Sequence, residues 1–242
     1  MGFTLIIVGI ISIINATPLT IKIGFASILI GLFMICIVTE RSIPVEISDA
    51  VLRGNIDAIR RIIRDLNLNG NAIFLPETDK LSEERVFIPP NKTGVIRIPE
   101  IHADDIFLTY MDGKNLKTLG VSIPPSGLIL LKELERYEDF KDVNMENLDE
   151  KLQKFVETEL LKSVSFKKYQ NGWKLNLDKP LFCLHDENLC QQYPCPTCSA
   201  ILTLISRASN SPEKRLWINQ VTHNCEKVTF YLNFINRRPQ GG

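Results

Sequence analysis

No phosphate-cradling glycine loop, no G-x-S-x-G elbow and no H-E-x-x-H helix occurs in these 242 residues, so the common local signatures of nucleotide hydrolysis, acyl transfer and zinc peptidases are missing. An excess of one charge sign is missing too. Lys plus Arg and Asp plus Glu number 28 each, so no bulk field favours nucleic acid or an acidic partner, and Arg237 with Arg238 is too little to supply one. Nucleic-acid binding is therefore not expected. Charge is also locally scarce: from Met1 to Thr39 the only charged side chain is Lys22, and almost every other charge lies beyond Glu40. The chain divides there, into residues 1–40 and 41–242. With 45% apolar residues there is enough chain to bury a core in one large domain or two small ones.

What the first part does contain is two apolar runs, Phe3 to Ala16 and Ile23 to Val38, flanking the polar break Thr17 to Lys22, in which Pro18 favours a turn. This reads as a transmembrane helical hairpin. At 1.5 Å per residue the longer run reaches about 24 Å, under the ~30 Å hydrocarbon core, so two short spans require flanking residues, local thinning or snorkelling of Lys22. Gly9 on the first helix could meet the small pair Ser27 and Gly31 on the second, letting the backbones approach. A cleaved signal peptide is disfavoured, because Met1 to Ala16 lacks a basic n-region and a second apolar run follows at once. No charged residue sits mid-span to line a transport pathway, and Cys36 reads as an apolar filler, so the hairpin is expected to anchor the chain in the lipid bilayer.

Orientation follows from Lys22 alone in the connecting loop against Arg41, Arg53, Arg60 and Arg61 after the second helix. The expectation is a multi-pass protein of the cell membrane with a cytoplasmic C-terminal domain. Asn91-Lys-Thr matches a glycosylation acceptor, but a three-residue pattern does not outweigh the charge bias. The odd number of cysteines after the hairpin also fits poorly with an extracellular disulfide framework.

Beyond the hairpin, Ser48 or Asp49 can cap a helix with Val51, Ile56, Ile59, Ile62, Ile63 and Leu66 at helical spacing, stopped by Asn69 and Gly70. Short β-rich runs follow at Ala72 to Leu75, Arg85 to Ile88, Val95 to Ile98 and Ile106 to Tyr110, separated by prolines and Asp112-Gly113. Pro124-Pro125-Ser126 introduces a helix through Leu128, Leu131, Leu134 and Tyr137, and a second carries Leu148, Leu152, Phe155, Val156 and Leu160. Val164 to Tyr169 and Trp173 to Leu177 read as a hairpin turning at Asn171-Gly172. A helix from Pro196 to Ala208 precedes a last strand pair, Arg215 to Val221 and Lys227 to Phe234, around Asn224. Paired strands alternating with helices, without regular βαβ spacing, predict an α+β domain with mainly antiparallel sheets. It can be read as one body or as two lobes, 41–140 and 145–236.

The run Asp65-Leu-Asn-Leu-Asn-Gly-Asn-Ala-Ile-Phe-Leu-Pro, the later Arg85-Val-Phe-Ile-Pro, and Pro124-Pro-Ser-Gly-Leu-Ile-Leu-Leu-Lys-Glu-Leu-Glu together resemble a family of uncharacterised archaeal membrane proteins. The resemblance covers most of the chain. It implies two apolar helices followed by a soluble region and an archaeal origin, and it brings no activity, substrate or catalytic residue. The Cys-Pro-Thr-Cys pair is not part of it.

The one dense group of ligand-type side chains is Cys183, Cys190, Cys195 and Cys198 with His185 among them, and His223 and Cys225 later on the last hairpin. Cys195-Pro-Thr-Cys198 puts Cys195 at a helix N-cap and Pro196 at the first helical position, where the helix dipole favours a thiolate. A redox pair of Cys195 and Cys198 is one reading. The strand that glutaredoxin-like pairs need just upstream is not there, since Asn188 to Pro194 is polar and turn-like. Zinc is the competing reading, held by four thiolates or by three with His185 or His223, although only one CxxC knuckle is present. A third is that these are buried thiols without chemistry.

Other clusters are weaker. His102-Ala-Asp-Asp reads as a turn, Glu133, Glu135, Glu138 and Asp139 with Lys132 and Arg136 as the solvated side of a helix, and Trp173 and Trp217 as packing residues. The sequence therefore predicts a membrane-tethered, non-enzymatic domain that binds a protein partner or assembles with itself, with thiol redox chemistry or a zinc-stabilised site as the alternatives.

Overall fold

The computed structural model describes residues 2–14, 17–38, 45–79, 81–91, 105–111, 117–138, 140, 142–183, 186–209, 211 and 214–236. It divides into two units, Met1–Arg53 and Gly54–Gly242.

In the first unit, α1 (Gly2–Ile14) and α2 (Pro18–Val38) form the expected helical pair, but the break between them is shorter than the sequence suggests. Thr17 explains this by capping α2: its N–H donates to Thr20 Oγ1 at 3.0 Å, and the Thr20 N–H donates back to Thr17 Oγ1 at 3.3 Å. Pro18 then occupies the first helical position, where its missing N–H costs nothing, so it starts a helix instead of making the turn. The close approach is made by Gly9 against Gly24, not Ser27 and Gly31; a Cβ on either glycine would fall 2.7 Å from the other's carbonyl oxygen. The transmembrane reading is corrected. A hairpin crosses only if both arms reach, and the 13 residues of α1 extend about 20 Å against a ~30 Å core. Among the described residues no helix is long and apolar enough to cross a membrane. The multi-pass placement in the cell membrane, and the cytoplasmic orientation argued from it, lose their premise.

The helix α3 (Val45–Asp65) begins before the expected cap, so Ser48 and Asp49 lie inside it. It ends where Asn67 turns left-handed at φ 52° and the Leu68 N–H reaches back to the Ile63 carbonyl. The rest of the second unit is α+β, built on one antiparallel sheet of eight strands in the order β3-β4-β2-β1-β7-β8-β6-β5. The strands are β1 (Ile73–Leu75), β2 (Arg85–Ile88), β3 (Phe107–Met111), β4 (Lys117–Ile123), β5 (Ser163–Tyr169), β6 (Gly172–Asp178), β7 (Lys214–Asn224) and β8 (Lys227–Asn236). The order has an internal symmetry. Read outward from the central β1–β7 pair, each half is an inner hairpin followed by an outer one, but the inner hairpin comes first in the chain in one half and second in the other.

Between these strands run α4 (Leu128–Leu134), α5 (Leu148–Glu157), α6 (Glu187–Gln192) and α7 (Pro196–Ala208). The core lies on one face of the sheet, where Phe74, Val86, Leu175, Phe230 and Leu232 meet Leu131, Phe155, Ile201 and Ile205. α7 is its centre: every residue from Pro196 to Ala208 is buried except Arg207. Strand alternation sends Ile73, Leu75 and Phe87 to the opposite face, where a smaller cluster includes Leu108 and packs against Trp217 and Ile235.

Three sequence expectations shift. β4 and α6 were not foreseen, and the β5–β6 turn is Gln170-Asn171, with Gln170 at φ 50° and Gly172 already paired to Tyr169. The expected strand Val95 to Ile98, the turn Asp112-Gly113, the cluster at His102, the acceptor pattern beyond Asn91, and Arg41, Asp139, Arg237 and Arg238 lie outside the described residues, as does the side chain of Cys36.

Candidate metal centre

The cysteine segment is pinned on several sides before any sulfur is considered. After β6, Phe182 turns left-handed at φ 62° and Cys183 follows, half-buried. Asp186 then caps α6 by accepting the Leu189 N–H at 3.1 Å, and its other oxygen accepts Arg60 Nη2 at 2.9 Å. α6 places Cys190 on its buried side. The segment Gln191 to Pro194 is tied to the strands and turns around it. Ala72 N–H donates to the Gln191 carbonyl at 2.8 Å, Gln192 Nε2 donates to the Leu68 carbonyl at 2.6 Å, and Ser126 Oγ donates to the Pro194 carbonyl at 2.5 Å. Cys195 is the N-cap of α7 and Pro196 its first residue, as the sequence predicts. Thr197 Oγ1 donates to the Leu181 carbonyl at 2.6 Å, fastening the first turn of α7 to the segment that carries Cys183.

These ties bring three sulfurs together: the Sγ atoms of Cys183, Cys195 and Cys198 all lie within 4.8 Å of one another. The cluster could hold a metal ion. Cys195 and Cys198 are buried and Cys183 is half-buried. Cys190, also buried, is the fourth thiol: it hydrogen-bonds to Cys183 and lies in the field of Cys195. Of the remaining candidates, His223 is on β7, where its backbone N–H donates to Glu187 Oε1 at 2.9 Å, and Cys225 is exposed in the β7–β8 turn. Neither belongs to the three-sulfur group. His185 lies outside the described residues.

The electrostatics differ from the N-cap expectation. Hydrogen bonding to Cys183 followed by burial pushes the Cys190 thiol far above its ordinary range. Cys195 and Cys198 also move upward, with hydrogen bonding to Cys183 again the largest cause. The pull of a helix N-terminus on Cys195 is therefore outweighed by neighbouring sulfurs and desolvation. Left to themselves Cys190, Cys195 and Cys198 stay protonated. A bound divalent cation reverses that balance by taking the thiolates as ligands.

A second polar constellation was not visible in the sequence. Arg207, at the far end of α7, donates from Nε to Glu84 and from Nη1 to Glu135, and Glu84 is almost wholly buried. Burial opposes the guanidinium charge, but the two carboxylates outweigh it. Glu135 thus leaves the solvated helix face to which its neighbours Glu133 and Arg136 do belong, the latter two paired at 2.9 Å. This network lines a cleft of about 470 Å³ with Glu77, Glu83 and Lys132. The only sequence signal was a pair of adjacent acids, Glu83 and Glu84, beside a strand. Trp173 stacks on Phe166 at 4.7 Å and Trp217 packs on the smaller cluster, both structural roles.

Among known proteins, the sequence model of a family described as a domain of unknown function (DUF7982) matches residues 2–170. No curated protein and no solved structure matches the chain. All four clustered cysteines lie beyond the matched residues.

Proposed function

We propose that this chain, which belongs to the DUF7982 family, carries beyond the residues matched to that family a structural zinc site formed by Cys183, Cys195 and Cys198, with Cys190 as the fourth ligand. The observation that carries the reading is the mutual approach of the Cys183, Cys195 and Cys198 sulfurs to within 4.8 Å, with the Cys190 thiol hydrogen-bonded to Cys183. All-thiolate donors at such spacing suit a soft, tetrahedral ion, and zinc is the common one in closed sites. The ion would add nothing catalytic there, since four protein ligands leave no open position for water or substrate. Its work is to staple the segment after β6 to the start of α7, the most buried helix of the fold. The domain so stapled acts as a non-enzymatic module for binding a protein partner or a second copy of itself. Exposed Ile14, Leu19, Leu29 and Phe33 on the α1–α2 pair support self-assembly, because monomers rarely leave so much apolar surface uncovered.

Thermal melting with and without a chelator tests the site. A fall in the melting temperature, restored by added zinc but not by magnesium, is the expected result. An unchanged melt overturns the proposal. Disulfide chemistry at Cys195 and Cys198 is the second reading, favoured by their placement around the first turn of α7. It requires that oxidised and reduced protein differ in that pair alone, whereas a zinc site protects all four thiols together.

A further inference from the structure

On the face of the sheet turned away from α4, α5 and α7, β5, β6, β8 and β7 line up their outward side chains in rows. One row reads Lys167, Lys174, Tyr231 and Gln220, each in register with the next. On one side of it stand Tyr169 paired with Gly172 and Trp217 paired with Asn233. On the other side Asn176 Nδ2 donates to Ser165 Oγ at 3.1 Å and Thr229 Oγ1 donates to Asn176 Oδ1 at 3.0 Å. The intervening Phe166, Leu175, Phe230 and Val221 point the other way, into the core.

Three properties of this face point to one kind of ligand. Lys167 and Lys174 are opposed directly across two strands, an arrangement that destabilises a sheet unless negative charge or π-electrons compensate. Part of that compensation is visible, because Lys174 Nζ lies 5.8 Å from the Tyr169 ring centre and 5.7 Å from that of Tyr231. Among the described residues neither lysine has a carboxylate partner, and the outward-facing acid on these strands is Asp178, beside Lys227 and two rows away. The face is thus positive in a chain whose net charge is zero. Of the two rings, Tyr169 is 43% exposed and Tyr231 half-buried, and they lie 5.5 Å apart at 57° with the flexible Lys174 side chain above both. Gly172 keeps the surface low between them, since a Cβ there would fall 2.0 Å from Asn233 Oδ1.

We propose that this face binds single-stranded nucleic acid, with unpaired bases stacking on Tyr169 and Tyr231 and backbone phosphates meeting Lys167 and Lys174. Stacking platforms with interleaved lysines are what a flexible, charged strand of flat rings requires. A duplex hides its ring faces and an acidic peptide has none, so either would use the lysines and leave the tyrosines idle. The equality of basic and acidic residues describes the whole chain and does not govern one face. This inference is independent of the cysteine chemistry.

Fluorescence anisotropy of a labelled oligouridine against the full-length chain tests it. The single strand binds at low salt, and the matching duplex binds about tenfold more weakly. Tyr169→Ala weakens binding about tenfold while Tyr169→Phe restores it. Lys167→Gln and Lys174→Gln each flatten the slope of log affinity against log salt by about 0.7. All four variants still unfold cooperatively, because the substituted side chains lie on the outward face of the sheet and not among the core residues. Absence of binding, equal affinity for the duplex, or variants that bind like the parent would overturn the proposal. So would displacement of the strand by polyglutamate at equal charge concentration, which would assign the face to an acidic protein partner.

Discussion

At the scale of single residues, hydrogen bonding to Cys183 and burial hold Cys190, Cys195 and Cys198 as protonated thiols. A metal that takes them as thiolates must displace those protons, so its affinity falls as pH falls. Cys198→Ser is expected to abolish zinc retention and lower the melting temperature, whereas Cys225→Ser, at an exposed turn, leaves both unchanged; paired calorimetry and metal assay check this. Tyr193 gives a separate pH prediction. Burial pushes its phenol up to about 12, against about 10 in the unfolded chain. The unfolded state therefore ionises first, and stability that is fully present below about pH 10 is lost as pH rises towards 12. Tyr193→Phe removes that part of the alkaline loss, which denaturant midpoints at pH 9 and pH 11 will reveal. Arg207→Ala leaves Glu84 buried without its partner and is expected to cost about 3–5 kcal/mol in denaturant unfolding. The cysteine group was legible because ligand types crowded into one segment are rare. The Arg207 network was not, because its members come from three distant stretches and look like ordinary surface charges.

At the scale of elements, amphipathic periodicity revealed α5 and α7, and β-rich alternation revealed both C-terminal hairpins. What escaped were pieces whose signals lie outside their own residues. α6 is six residues long and is defined by the Asp186 cap and by its contacts, so a polar segment that reads as a turn becomes a helix. β4 contains Gly120, which propensity counts against a strand; the Phe87 ring lies over it, 2.5 Å from where a Cβ would stand. Gly172 misled in the opposite sense. It looks like the turn residue of an Asn-Gly hairpin, yet its lack of a side chain serves the packing of Asn233, and the left-handed residue is Gln170. Gly127 is the point of close backbone approach between the start of α4 and α7: a Cβ would fall 2.2 Å from both the Pro196 carbonyl oxygen and the Ala200 nitrogen. Gly127→Ala is therefore expected to destabilise by about 1–3 kcal/mol through backbone displacement at the start of α7, read as a shift in the unfolding midpoint.

At the scale of the molecule, strand order gives the matched family region a dependence that sequence matching cannot express. Residues 2–170 include β1 to β5, but β5 joins the other four only through β6, β8 and β7, all of which come later in the chain. A chain ending at Gln170 would strand β5 and uncover the central β1, so it is expected to show no cooperative melt by circular dichroism. The α+β character was legible, as was the pairing of strands into hairpins. Their merger into one sheet was not, because the β1–β7 register joins residues more than 140 apart in sequence. The transmembrane expectation failed because no described helix is both long and apolar enough to cross, and α1 spans only 13 residues. The cysteine group closes between β6 and α7, at the heart of this late-arriving C-terminal portion. Metal content and accessible-thiol count on the full-length protein, purified without reductant or added metal, is accordingly the most direct test of the metal centre. About one zinc per chain, with Cys183, Cys190, Cys195 and Cys198 protected while Cys225 reacts, is the expected result. Protein free of metal, with all of these thiols titrating at once under native conditions, would contradict it.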